Sequence, residues 1–108
     1  MKPRLLFVCS ANRERSPTAE ALYNQGGACE ARSCGLDSAA TPASGELIEW
    51  ADVIFCMEQV HAETLLRRFP AVRSKKVFVL HIPDDYPRHD PHLVLLLKAR
   101  IDPILARL

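Results

Sequence analysis

The chain has 108 residues, a length typical of one domain, because single hydrophobic cores serve about 100–150 residues. Hydrophobic residues make up 48% and charged residues 25%, a globular balance that excludes a disordered chain. The formal net charge is only +1, whereas proteins that bind nucleic acid or anionic membranes usually carry a clear basic excess, so we expect no nucleic-acid and no membrane partner.

Short apolar runs alternate with helical patterns along the chain. Three apolar runs predict strands at residues 5–9, 52–57 and 76–80, and residues 28–34 are expected to form a further strand. Helical spacing between them predicts four helices, at residues 17–24, 46–51, 59–69 and 92–101. Pro17 suits the first position of its helix, Pro70 ends the third, and Pro103 is expected to end or kink the last.

This alternation predicts an α/β fold with a four-stranded parallel sheet and helices on both faces. In such sheets, ligands bind beyond the carboxyl ends of the strands. The polar loop at residues 10–16 and the loop rich in Asp and Pro at residues 81–91 both follow strands, so both are expected at that edge.

The loop after the first strand has the residue types of an anion site. It reads Cys9-Ser10-Ala11-Asn12-Arg13-Glu14-Arg15-Ser16-Pro17. Its backbone N–H groups can form a nest, and the following helix points its positive end toward the same place. The planar guanidinium of Arg15 can bind two oxygens of a phosphate. We therefore predict a phosphate site made by Ser10, Ala11, Asn12, Arg13, Glu14, Arg15 and Ser16.

Cys9 is predicted to be the nucleophile of this site. A helix N-terminus and a neighbouring guanidinium favour a thiolate, which can attack phosphorus and form a phospho-cysteine. Ser16 can donate a hydrogen bond to the sulfur, and Asn12 tolerates a left-handed backbone that would shape the loop. The mechanism requires no metal and no other cofactor.

The same segment resembles the active-site loop of the low-molecular-weight protein tyrosine phosphatases, whose signature is Cys, five residues, Arg, Ser and Pro. Other similar segments, which together reach about residue 97, are Thr18-Ala19-Glu20-Ala21, Ser33-Cys34-Gly35 and residues 51–58 and 82–86. The resemblance implies one domain over residues 1–108 with a phosphatase I-like three-layer sandwich. It also implies a hydrolase that acts on a phosphorylated protein or a small aryl phosphate.

The resemblance further implies that an aspartate in the late loop protonates the leaving group and then activates water. Asp84 matches that aspartate, so the implied catalytic set is Cys9, Arg15 and Asp84. Asp85 stands where the family has a proline and is the rival, and Asp90 is a more distant one. The spacing does not separate Asp84 from Asp85.

Two departures from the family pattern affect the predicted site. The chain is short between Gly35 and Ala51, where the family has an extra helix and loop that wall the cleft, so we expect a more open pocket. Glu14 stands where many members have a second cysteine, which excludes a disulfide within the loop. We expect the Glu14 side chain to point outward and Arg13 to offset part of its charge.

Two other functions remain as alternatives, namely a non-catalytic phosphate- or phosphotyrosine-binding module and an arsenate reductase on the same fold. The reductase relays oxidation through two further cysteines. Cys56 lies near such a place, but Glu63 occupies the position of the expected partner. Cys29, Cys34 and Cys56 are expected to be packing residues.

The remaining features have simpler interpretations. His89, Asp90 and His92 are too few ligands for a convincing metal site and are expected to be solvated. The apolar run at residues 93–97 is expected to pack in the core, in a monomer or weak homodimer. No apolar run approaches the about 20 residues of a membrane span, and the first run ends too early for a secretion signal. We therefore expect a cytoplasmic protein with free thiols.

Overall fold

The computed structural model describes residues 2–37 and 39–108. Its strands are β1 (Arg4–Cys9), β2 (Glu30–Gly35), β3 (Val53–Cys56) and β4 (Lys76–Val79). Its helices are α1 (Arg15–Asn24), α2 (Gly45–Trp50), α3 (Gln59–Arg68) and α4 (Pro91–Leu105), with short 3₁₀ turns at Gln25–Gly27 and Pro70–Ser74. The predicted order of strands and helices is confirmed.

The four strands form one parallel sheet in the order β2-β1-β3-β4. β1 is central, and every residue of it after Arg4 is buried, as its continuous apolar run predicts. β2, the next strand along the chain, pairs with one edge of β1, and β3 pairs with its other edge. The carboxyl end of β1 therefore lies where the strand order reverses, which is where open α/β sheets bind ligands.

Helices cover both faces of the sheet and complete the three layers. Alternate residues of β1 point to opposite faces, so Leu5 and Phe7 lie in one buried cluster and Leu6 and Val8 in the other. Helices α1 and α4 contribute to the first cluster, and α2 and α3 to the second. Phe7 stacks on Phe55 of β3 with ring centroids 5.3 Å apart, which ties the two central strands together.

Helix α4 is longer than the sequence predicts. It was expected to stop at residue 101, yet it continues to Leu105 with Pro103 inside it. Proline removes the amide that would bond to the carbonyl of Ala99, but both residues are exposed, so water can satisfy that carbonyl. The helix is held on the sheet by its buried side chains, which are Leu93, Leu97 and Ile101.

The apolar run at residues 93–97 is divided between the core and the surface. Leu93 and Leu97 are fully buried, as core packing predicts, while Leu95 is 65% exposed. None of the helices within residues 2–37 and 39–108 is long and apolar enough to cross a membrane.

The start of α4 provides a test of the fold. The carboxylate of Asp90 accepts hydrogen bonds from the N–H groups of His92 at 2.9 Å and Leu93 at 3.2 Å. Asp90→Ala removes this cap, and we expect the free energy of unfolding to fall by about 1 kcal/mol in urea titrations. Asp85→Ala, an exposed aspartate of the same loop, is the control and should unfold with the wild type. Equal midpoints for both variants would contradict the capping role.

Candidate active site

The loop between β1 and α1 wraps around the sulfur of Cys9. Asn12 lies in the left-handed region with φ 55°, as expected for the residue that shapes this loop. Its buried side-chain amide donates to Ser16 Oγ and to Ser33 Oγ, both at 2.9 Å. The loop is therefore joined both to the first turn of α1 and to β2.

Two groups are directed at the Cys9 sulfur. The backbone N–H of Asn12 donates to Sγ at 3.2 Å, and Ser16 Oγ lies 2.8 Å from it. Ser16 Oγ accepts a hydrogen bond from the Asn12 amide, so its own proton can point to the sulfur at 2.8 Å or to the carbonyl of Cys34 at 3.5 Å. Hydrogen bonds donated to sulfur stabilise its ionised form. This arrangement agrees with the predicted contact between Ser16 and Cys9.

A further hydrogen bond extends this network beyond the residues that sequence analysis assigned to the site. Ser33 Oγ accepts from Asn12 and donates to Glu20 Oε1 at 2.6 Å. Ser33 and Glu20 both lie in segments that resemble the family, but the sequence indicates no role for either. Their contact joins β2 to α1, and neither local spacing nor charge could have indicated it.

Gly35, the last residue of β2, allows this strand to pass very close to the loop. A Cβ at this position would lie 2.7 Å from the backbone oxygen of Ser10 and 2.9 Å from the backbone nitrogen of Asn12. The same Cβ would be 2.5 Å from the Ala39 side chain. Only glycine fits here without a shift of the backbone around Cys9.

Arg15 is buried and joins the carboxyl ends of three strands. Its Nη1 donates to Glu58 Oε2 at 2.5 Å, after β3, and to the carbonyl of Ile82 at 2.8 Å, after β4. Its Nε lies 3.7 Å from Asp84 Oδ1. The hydrogen bond from Arg15 lowers the pKa of the Glu58 carboxyl. With Nη1 held in this way, Nε and Nη2 remain for an anion.

Cys9, Arg15 and Asp84 meet at one small cavity of about 20 Å³. Its described lining is Cys9, Ala11, Arg13, Glu14, Arg15 and Asp84. Asp84 is 60% exposed, so its carboxyl borders both Arg15 and solvent. Asp85 is exposed and is not part of this described lining, while Asp90 caps α4.

Glu14 is half-buried and is one of the residues that line this cavity. The outward direction of its side chain stays a prediction. The carbonyl of Glu14 accepts hydrogen bonds from the N–H of Thr18 at 3.1 Å and from Thr18 Oγ1 at 2.6 Å. The hydrogen bonds of the first helical turn thus hold this residue at the edge of the site.

His61 is a neighbour of the site that the sequence analysis missed. Its Nδ1 accepts from the N–H of Glu58 at 3.0 Å, and its Nε2 lies 2.9 Å from Ser10 Oγ. Burial lowers the pKa of His61, and the positive charge of Arg15 acts in the same direction. The spacing of Glu58 and His61, the N-cap and third residue of α3, was the available signal, since side chains at N3 often bond back to the N-cap.

The other thiols have environments unlike that of Cys9. Cys34 and Cys56 are buried, and burial raises the pKa of each to about 12, so both are neutral at pH 7. Burial also raises the pKa of the partly exposed Cys29. Within residues 2–37 and 39–108, no group of three or more His, Cys, Asp or Glu side chains is placed to hold a metal ion.

Comparison with known proteins relates this geometry to solved structures. No family model and no curated protein matches the chain. Wzb from Vibrio vulnificus, solved with benzylphosphonate, is 21% identical and has a TM-score of 0.80 over 100% of both chains. The low molecular weight protein tyrosine phosphatase from T. tengcongensis is 22% identical with a TM-score of 0.72, over 99% of this chain and 100% of that chain.

The chain has the low-molecular-weight tyrosine phosphatase fold. The YwlE arginine phosphatase from Geobacillus stearothermophilus is also similar, with 24% identity and a TM-score of 0.64 over 93% of this chain and 84% of that chain. The predicted resemblance and the predicted three-layer fold are therefore confirmed at the level of the fold.

Substitution of Gly35 tests its close approach to the backbone of Ser10 and Asn12. Gly35→Ala forces the added methyl against loop backbone, and we expect the free energy of unfolding to fall by about 1–3 kcal/mol. Amide NMR resonances of residues 10–12 should shift with it. Gly45→Ala is the matched control, because a Cβ there meets nothing within 4 Å in the described structure. Unchanged loop resonances in Gly35→Ala would contradict the prediction.

Proposed function

We propose that this protein is a cysteine-dependent phosphomonoester hydrolase whose substrate is an aryl phosphate, with phosphotyrosine in a protein as the preferred class. The observation that carries the proposal is the meeting of Cys9, Arg15 and Asp84 around one cavity at the carboxyl edge of the sheet. A nucleophile, an anion-binding fork and a carboxyl group are the three groups that this hydrolysis requires.

In the first step, Cys9 Sγ attacks phosphorus as a thiolate and the bond from phosphorus to the aryl oxygen breaks. Asp84 donates its proton to that oxygen, so the product leaves as a neutral phenol. The backbone N–H groups of residues 10–15 and the free edge of Arg15 bind the phosphoryl oxygens as their charge develops. The enzyme is left with a phospho-cysteine and an ionised Asp84.

In the second step, the Asp84 carboxylate takes a proton from water, and the oxygen of that water attacks phosphorus. The sulfur–phosphorus bond breaks, inorganic phosphate is released, and the thiolate returns to its hydrogen bonds with Ser16 and Asn12. The covalent route is supported by a similar structure, a mutant of the YwlE arginine phosphatase that has serine in place of cysteine and a phosphorylated active site serine.

One similar structure supports an aryl phosphate as the substrate, and another shows that the fold is also used for a different phosphate compound. Wzb was solved with benzylphosphonate, which carries an aromatic ring close to its phosphonate. YwlE is described as an arginine phosphatase, so this fold serves more than one type of leaving group. Asp84 beside the cavity can supply the proton that an aryl oxygen takes up as it leaves, and the aromatic ligand of Wzb supports the aryl class.

The two alternative functions agree less well with the site. An arsenate reductase needs accessible relay thiols, whereas Cys34 and Cys56 are buried and neutral. A pure binding module needs the anion loop and Arg15 but gains nothing from a carboxyl group at the cavity, and Asp84 lies there. We therefore prefer the hydrolase.

Turnover of an aryl phosphate tests the proposal. Assays with a chelator present should show metal-independent release of phosphate by the wild type. We expect Cys9→Ser to abolish turnover, because the hydroxyl is a far weaker nucleophile than a thiolate. Asp84→Asn should lower kcat by about 10²- to 10⁴-fold, since the amide cannot donate the proton.

Asp85→Asn is the matched control and should keep wild-type kcat. If Asp85→Asn alone slows the reaction, the general acid is the neighbouring residue instead. If the wild type binds phosphate but releases none from aryl phosphates, the hydrolase proposal is wrong and the binding module becomes the better account.

A further inference from the structure

A buried histidine lies behind the phosphate loop and takes no part in the proposed chemistry. His61 is 2% exposed and sits in the first turn of α3. Both nitrogens of its ring are in hydrogen-bond contact, Nδ1 with the N–H of Glu58 and Nε2 with Ser10 Oγ. A buried imidazole with two partners has a single orientation, so its surroundings determine where its proton lies.

The contact with Glu58 determines the tautomer of the ring. A backbone N–H can only donate, so Nδ1 must accept and carries no proton. The proton of the neutral ring is therefore on Nε2, which donates to Ser10 Oγ. Protonation of Nδ1 would set two donors against each other 3.0 Å apart and break the contact with Glu58.

The two partners of His61 lead to opposite ends of the phosphate loop. Ser10 is the first residue after Cys9, and its hydroxyl accepts from the ring. Glu58 holds Nη1 of Arg15, which ends the loop and begins α1. One rigid ring thus connects the first residue of the loop, through the backbone of Glu58, to the carboxylate that orients the guanidinium.

We propose that His61 is a positioning residue for the phosphate site, whose neutral ring joins Ser10 to Glu58 and so holds both ends of the loop in the anion-binding form. The inference rests on the proposed function only in taking phosphate as the bound anion. His61 does not touch the reacting atoms. Its effect is on how well the loop and Arg15 are arranged before the anion arrives.

The charges around His61 make this role dependent on pH. Arg15 disfavours the protonated ring, while the carboxylates of Glu58, Asp37 and Asp84 favour it. Burial is the largest effect, and the pKa of His61 in the folded protein lies below its ordinary value of 6.5. The unfolded chain then binds a proton that the folded chain does not, so stability begins to fall as the pH drops below about 6.5. The loop itself loses order only at the lower pH where the ring of the folded protein takes a proton.

Two substitutions separate the two contacts of the ring. In His61→Asn, the amide oxygen is as many bonds from Cα as Nδ1 and can still accept from Glu58, but the contact with Ser10 is lost. In His61→Gln, the amide nitrogen is as many bonds away as Nε2 and can still donate to Ser10, but the contact with Glu58 is lost. His92→Asn, an exposed histidine on α4, is the control.

The first measurement is NMR of the wild type, without substrate. Ring ¹⁵N shifts at pH 7 should report a neutral His61 with its proton on Nε2. A charged ring, or a proton on Nδ1, would overturn the inference whether or not the protein turns over any substrate.

The second measurement is a titration of each variant with inorganic phosphate, followed by the amide resonances of residues 10–15. At pH 7, we expect His61→Asn and His61→Gln each to bind phosphate about three- to tenfold more weakly, as for the loss of one hydrogen bond, while His92→Asn binds as the wild type does. The wild type should lose affinity as the pH falls through the lowered pKa of His61, and that loss should be smaller in both His61 variants, which cannot titrate there.

Unfolding in urea separates positioning from stability alone. A lower unfolding midpoint with wild-type phosphate affinity, KM and kcat in both His61 variants would mean a structural role only and would overturn the inference. If His61→Asn weakens phosphate binding in a wild type that hydrolyses no aryl phosphate, the positioning role stands and the hydrolase proposal falls. A wild type that binds no phosphate at all contradicts both.

Discussion

The buried guanidinium of Arg15 is the constraint on which the site depends. A charge removed from water is very costly unless it is paired and hydrogen-bonded. Here Arg15 is paired with the Glu58 carboxylate and hydrogen-bonded to the carbonyl of Ile82. These residues follow β3 and β4, the two strands that lie on the side of β1 opposite to β2. The charge that binds an anion therefore also fixes how the loops after three strands are arranged around Cys9.

The same constraint explains why the site is arranged before any ligand arrives. Nη1 of Arg15 is already held, and Asn12 is fixed by hydrogen bonds to Ser16 and Ser33. An entering phosphate then meets donors that need little reorientation, which reduces the entropy lost on binding and stabilises charge as it develops. Asp84 differs, since it is mostly exposed and comes from a loop, as suits a group that exchanges protons with water.

Most of the fold and the centre of the site could be predicted because their signals are local. The continuous apolar run of β1 predicts a buried strand, and the residues from Cys9 to Pro17 indicate both an anion loop and the family it resembles. The left-handed conformation of Asn12 follows from its residue type and place in that loop. In each case a short stretch of sequence carries the physical cause.

What could not be predicted depends on contacts between distant parts of the chain. Glu58 meets Arg15, and His61 meets Ser10, across separations of 43 and 51 residues. These contacts exist only because β3 pairs with β1 in one register, and spacing along the sequence contains no record of that register. The sequence could not separate Asp84 from Asp85 for a similar reason. Two adjacent aspartates in a loop differ in where their side chains point, and that depends on the folded chain. Pro103 was wrongly expected as a possible end of α4, because whether a helix continues through a proline depends on the solvent exposure of the freed carbonyl.

The two groups that accept hydrogen bonds from Arg15 Nη1 differ in how a mutation can remove them. The Glu58 carboxylate is a side chain, and a single nucleotide change can remove it. The Ile82 acceptor is a main-chain carbonyl, which every amino acid supplies, so no replacement at that position deletes it. The hydrogen bond from Arg15 to the carbonyl of residue 82 therefore does not depend on which side chain stands there. It would be lost if an insertion or deletion between β4 and residue 82 moved that carbonyl. Variation among natural homologues should therefore be restricted in length between β4 and residue 82, and residue 82 itself should stay apolar because its side chain is fully buried.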